Sequence, residues 1–164
     1  MGRTDTGSFL SHAVLGGVLG GLVAALWVAI AGAFHGLRWW SPLALYRTRL
    51  WGLARHPIVA SSTHAAVLAG VTWLLGVGLA GGALFGLLGG ALLPARSGRT
   101  ALVLSGGLLG IIVYLISGAD RLILLGPAIA ADLPSWVRAV ALGLVGATSG
   151  WCAASPGAAE GPRP

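Results

Sequence analysis

Residues 11–34 read SHAVLGGVLGGLVAALWVAIAGAF, a run with no charged side chain and with small residues in two four-step rows, Gly16–Gly20–Ala24 and Gly17–Gly21–Ala25–Ala29. A helix needs ~20 apolar residues to cross ~30 Å of hydrocarbon, and this run supplies them. Three further stretches have the same character: 64–93, 101–119 and 136–154, the last with one charge, Arg138, in its first turn. Barrel strands are the other way to span a bilayer, but they are ~10 residues long and alternate in polarity, which these runs do not. The expected fold is an all-α membrane protein, a bundle of four transmembrane helices.

Composition supports the same class. The chain has 164 residues, of which 56% are hydrophobic and 9% charged, and it contains 28 glycines. Globular chains carry ~25% charged residues. Lys, Asn and Gln do not occur, so too little polar surface exists to coat a particle in water. A free soluble domain, a disordered chain and a nucleic-acid-binding module are excluded on this ground. Every basic residue is Arg, and the net charge of +6 points first to topology and anionic lipid headgroups. One cysteine, Cys152, excludes an intrachain disulfide and a Cys-only metal cluster. Reliance on Ala, Gly, Leu and Arg has the look of a GC-rich bacterial genome, so the expected location is a bacterial inner membrane.

The connections differ in kind. Residues 35–63 carry Arg38, Arg47, Arg49 and Arg55 with no acid. Ser41-Pro42 is a helix start, a cap residue followed by proline at the first helical position. Leu43, Tyr46, Leu50, Leu53 and Ala54 then share one face, and Trp39, Trp40 and Trp51 lie nearby. This predicts one amphipathic interfacial helix over about 42–56, with the four arginines at lipid headgroups. The segment LILLGPAIAA (122–131) is too short to span and is expected to be re-entrant or interfacial. Residues 1–154 thus form a single transmembrane domain and 155–164 a disordered tail. The first apolar run exceeds the 7–15 residues of a signal peptide's core, so it reads as a retained span, and the opening Met-Gly-Arg-Thr-Asp-Thr as a chance match to a myristoylation pattern. Six arginines flank the loop-one and loop-three ends against four at the other, a lean toward those loops facing the cytoplasm.

Glycine spacing is the strongest local signal. Gly78, Gly82, Gly86 and Gly90 form an unbroken row in the second stretch, Gly106 and Gly110 a step in the third, and Gly143, Gly146 and Gly150 lie in the fourth. Lipid gives helices no hydrophobic reason to associate, so close backbone approach across small residues supplies the packing. With Gly16 and Gly20 these are the candidate helix-packing residues. They serve either the chain's own bundle or contacts with a second copy or another membrane subunit. Gly76-Val-Gly78-Leu-Ala80-Gly81 matches GxGxxG but lacks the strand and the acid that the dinucleotide motif requires. The second stretch, at 30 residues, reads as one long tilted helix because neither proline nor a polar residue marks a break.

The histidines are the candidates for chemistry. His12 and His35 lie about 34 Å apart at 1.5 Å per residue and cannot share a site. His35, His56 and His64 approach one membrane surface, where a metal or haem site is geometrically open to them. The competing reading is that they are ordinary interfacial polar residues, since no HxxxH or ExxH pair occurs. No charged residue sits at mid-span, which disfavours a proton-coupled or charged-solute pump. No catalytic residue is assigned.

The run GGALFGLLGG (81–90), the helix SGGLLGIIVYLIS (105–117), the Gly126-Pro127 turn and the Pro134-Ser135-Trp136 start of a Gly-rich last helix resemble small four-helix bacterial inner-membrane proteins of the YagU-like kind. The resemblance covers about 90 residues and implies architecture alone. The last helix lacks the histidine of that pattern. The function expected from these features is a non-catalytic accessory or structural subunit. It would pack by glycine faces into a larger membrane complex, such as an energy-converting one. A small homo-oligomeric channel or transporter lined by the Gly78–Gly90 row is the alternative, and a haem-binding redox subunit the second.

Overall fold

In the computed structural model the described residues are 6–43, 63–92, 97–116 and 133–154, nearly all of them helical and none in a strand. Four long helices account for them: α1 (Thr6–Phe34), α2 (Thr63–Leu92), α3 (Arg99–Ile116) and α4 (Ser135–Ala153). Three of these, α1 to α3, are long and apolar enough to cross a membrane. α1 begins ahead of the expected Ser11, because Thr6, Gly7 and Ser8 continue the helix into its polar margin. α2 runs unbroken through Gly76, Gly78, Gly81 and Gly82. Its 30 residues extend about 45 Å at 1.5 Å per residue, more than the hydrocarbon thickness.

α1 stops for a local reason. Gly36 adopts φ +76°, the left-handed conformation that L side chains disfavour. The Leu37 amide donates to the Gly32 carbonyl at 2.9 Å and the Gly36 amide to that of Ala33 at 3.1 Å, the paired bonds of a Schellman cap. The chain then folds back. Pro42 is fully buried against Gly32 of α1, and the Leu43 carbonyl rests on Gly70 of α2. Ser41 to Leu43 are helical, at the expected start of the interfacial helix. The remainder of that helix, the 122–131 segment and the 155–164 tail lie outside the described residues.

Packing does not follow chain order. α1 packs against α2 and α4, and α4 packs against α3, whereas α2 and α3, neighbours in sequence, barely touch. The spatial order is therefore α2–α1–α4–α3, with α2 also reaching α4. The core is Ala24, Val28 and Ala31 of α1, Leu74 and Val77 of α2, Tyr114 of α3, and Val137, Ala141 and Val145 of α4.

α4 is the enclosed helix: nine of its 19 residues are buried, and its large exposed side chains are Trp136, Val140 and Trp151. It is also the helix outside the apolar set. Ser149 and Thr148 are accommodated by donating to the Val145 and Leu144 carbonyls of their own helix at 2.8 Å each. The outward faces elsewhere are aliphatic, as in the α1 stripe Leu15, Leu19, Leu22, Leu26 and Ile30.

Candidate functional site

The glycines sort into three backbone contacts. On α1 the two rows part company. Gly16 and Gly20 face α4, where a Cβ on Gly16 would come within 2.8 Å of Ser149 Cα and one on Gly20 within 2.7 Å of Val145 Cα. Gly17 and Gly21 face α2, where Gly17 lies on the Gly78 carbonyl and Gly21 on that of Leu74. On α2 the row divides as well. Gly78 sits on the Gly17 carbonyl, Gly82 on that of Ala13 and Gly86 on the Leu10 side chain, whereas Gly90 is exposed, with Phe9 at an ordinary 3.8 Å. Within the chain Gly90 makes no close backbone contact, because α1 is near its first turn there.

The third contact joins α3 and α4 in an antiparallel register. Gly106 meets the Gly146 carbonyl, Gly110 that of Leu142, and Gly150 that of Leu102. Gly143 lies one position off this line, with the Ile111 side chain at 3.4 Å and the Gly107 carbonyl at an ordinary 3.8 Å. The Gly78–Gly86 face is filled by α1 of the same chain.

One turn beyond these contacts stand Tyr114 on α3 and Arg138 on α4. Both are buried, at 5% and 4% exposure. Among the described residues the Tyr114 hydroxyl has no hydrogen-bond partner, and burying such a group in an apolar interior is unfavourable. Arg138 was expected as a rim charge; its position in the first turn is as expected, but its rotation about the helix axis turns it inward. Beside it, the Trp27 indole N–H donates to the Val137 carbonyl at 3.0 Å, and the Trp27 and Trp136 rings meet edge to face at 6.0 Å. Spacing alone marked none of these four residues as a group.

Because α2 and α3 hardly meet, a crevice of about 140 Å³ runs between them, with α4 as its floor. Val77 and Leu84 form one wall, Leu109 and Val113 the other, and Leu142 and Val145 the base. Its surface is almost wholly apolar. Gly81, Gly106, Gly110 and Gly146 also line it, so backbone replaces side chains over part of its depth.

The rims carry the remaining polar residues. His35 and His64 are both exposed at the end where α1 finishes and α2 begins. His12 donates from Nδ1 to the Ser8 carbonyl at 2.7 Å, a bond within its own helix. Among the described residues no three His, Cys, Asp or Glu side chains gather as a metal site. Arg38 is exposed, with its guanidinium 5.9 Å from the Trp40 ring. Arg99, at the opposite rim, stacks 3.4 Å from the Trp151 ring. His56, Arg47, Arg49 and Arg55 lie outside the described residues. No protein-family model, curated protein or solved structure matches the chain.

Proposed function

We propose that the protein is a non-catalytic integral membrane subunit of a bacterial inner membrane, with α4 as a fourth span. It acts as a structural or accessory component of a larger membrane assembly. The observation that carries this reading is the use of the glycines. Gly16, Gly17, Gly78, Gly82, Gly106 and Gly146 are spent on backbone contacts within the chain, giving a rigid, preformed unit. What such a unit offers outward is aliphatic surface and aromatic rims, Trp39 and Trp136 at one end and Trp151 at the other. The interfacial helix over 42–56, with Arg47, Arg49 and Arg55 at the headgroups, anchors the Trp39 rim.

α3 is the face for a partner. Only 17% of its apolar window is buried, against 50% for α1, and Leu104, Leu108, Leu115 and Ile116 all point outward. Affinity purification of the tagged full chain in a mild detergent tests the proposal. A defined set of other membrane subunits, or a second copy, should co-elute, and Leu108→Trp should weaken the association at least tenfold. A stable lone monomer at native expression would overturn it.

A further inference from the structure

We infer that Arg99, stacked on Trp151, forms a binding site for the phosphate of an anionic glycerophospholipid, at the rim where α3 begins and α4 ends. The inference needs the helices to lie in a bilayer and does not need the accessory role.

The glycine contact brings the two residues together. Gly150 lies on the Leu102 carbonyl, so the antiparallel register sets Arg99, the first residue of α3, near the last turn of α4, where Trp151 follows Gly150. The Arg99 guanidinium carbon stands 3.4 Å from the centre of the Trp151 ring. That is van der Waals contact, which a planar group reaches by lying flat on the ring. Arg38, at the other rim, is 5.9 Å from the Trp40 ring and too far to lie on it in this way.

Depth places the pair at headgroup level. α3 has 18 residues and extends about 27 Å at 1.5 Å per residue, close to the ~30 Å hydrocarbon thickness. With so little length to spare, its first residue falls at the boundary of the hydrocarbon, within reach of lipid phosphates. Both side chains are exposed there, Trp151 by 53%.

Chemistry selects the ligand. Stacking occupies one face of the guanidinium and leaves its in-plane N–H donors free, the fork that matches two oxygens of a phosphate. The chain's acids are Asp5, Asp120, Asp132 and Glu160, and none of them lies among the described residues. The described part of this rim therefore holds a cation with no carboxylate to neutralise it, and an anionic headgroup is its electrostatic complement. A zwitterionic lipid carries an ammonium group that competes for its own phosphate, whereas a phosphatidylglycerol does not. The stack also fixes the side chain before the lipid arrives, which lowers the entropy lost on binding.

The test reconstitutes the full chain in phosphatidylcholine nanodiscs containing a minor fraction of phosphatidylglycerol with a diazirine on its headgroup. Irradiation should label residues 99–103 and 151–154 at least fivefold more than the matching phosphatidylcholine analogue does. Arg99→Gln should remove that excess. Arg99→Lys keeps the charge without the fork, and Trp151→Leu keeps the arginine without its seat; each should cut the excess at least threefold. Labelling from a diazirine placed on a lipid chain should be the same in all variants, which verifies that they fold. Inorganic phosphate added at matched ionic strength should leave the headgroup labelling unlowered. Equal labelling by the two lipids, or wild-type labelling in Arg99→Gln, overturns the inference. Wild-type labelling in either Arg99→Lys or Trp151→Leu reveals attraction by charge alone and overturns the built site. Displacement by inorganic phosphate overturns the lipid assignment.

Discussion

Gly106 and Gly146 lie backbone to backbone across the α3–α4 contact, each standing where a Cβ would strike the other's carbonyl oxygen. Neither atom is the yielding end of a side chain, so any added methyl must push one helix off the other. α3 packs on α4 and on little else, and this pair sits midway along that contact.

Gly146→Ala should therefore destabilise the bundle by about 1–3 kcal/mol, the range for overpacking a filled site. Gly76 has nothing within 4 Å of its Cβ position, and Gly76→Ala should cost nothing and gain up to ~1 kcal/mol from helix propensity. Reversible unfolding in mixed micelles measures both. The opposite signs are the discriminating feature.

Gly17 and Gly78 face each other across α1 and α2 in the same mutual way. Once one methyl has parted the helices, the second meets less resistance. The double variant Gly17→Ala/Gly78→Ala should be less destabilised than the sum of the single variants, by about 0.5–3 kcal/mol. Strict additivity would show that the two clashes relax independently.

Gly36 separates backbone strain from crowding. Its φ is +76°, yet nothing lies within 4 Å of its Cβ position. Gly36→Ala should cost about 1–2 kcal/mol through the left-handed conformation alone. The change should appear as fraying of the last turn of α1, read as faster amide exchange at His35 and Leu37.

Trp27→Phe keeps an aromatic ring against Trp136 but deletes the donor to the Val137 carbonyl. The expected loss is about 0.5–1.5 kcal/mol, the net value of one hydrogen bond. Intramembrane bonds measured by double-mutant cycles average about 0.6 kcal/mol, which favours the lower end. Thermal unfolding followed by tryptophan fluorescence gives the value.

The helical class and the existence of tight glycine faces were readable from the chain because a four-residue glycine step in an apolar run has few physical uses. Partner choice was not readable. Gly16–Gly20 and Gly17–Gly21 are equivalent as patterns, and only assembly sends one row to α4 and the other to α2. On α4, Gly143 and Gly146 are equally good candidates by spacing, but the helix rotates Gly146 onto α3 and leaves Gly143 beside it. The same rotation carries Arg138 inward: position along the chain gives depth in the membrane, not the direction a side chain points. Gly32 under Pro42, and Gly70 under the Leu43 carbonyl, carried no periodic signal, since each meets the returning chain at a single point. The crevice was illegible for a related reason. It exists because α2 and α3, joined by a short connection, do not pack, and chain adjacency argues the reverse.

The central place of α4 has a consequence for how the protein is made. Synthesis delivers α1, α2 and α3 to the membrane before α4, yet α4 holds α1 and α3 together. Until it arrives, α1 and α2 can pair through Gly17 and Gly78, while α3 drifts unattached and the Gly16–Gly20 row lies bare to lipid. α4 is the least apolar of the four and buries Arg138 against the others, so it packs most favourably once they are in place. Assembly of these four helices thus waits on α4, and a nascent chain stopped before Ser135 has two paired helices and a stray one rather than three-quarters of a bundle.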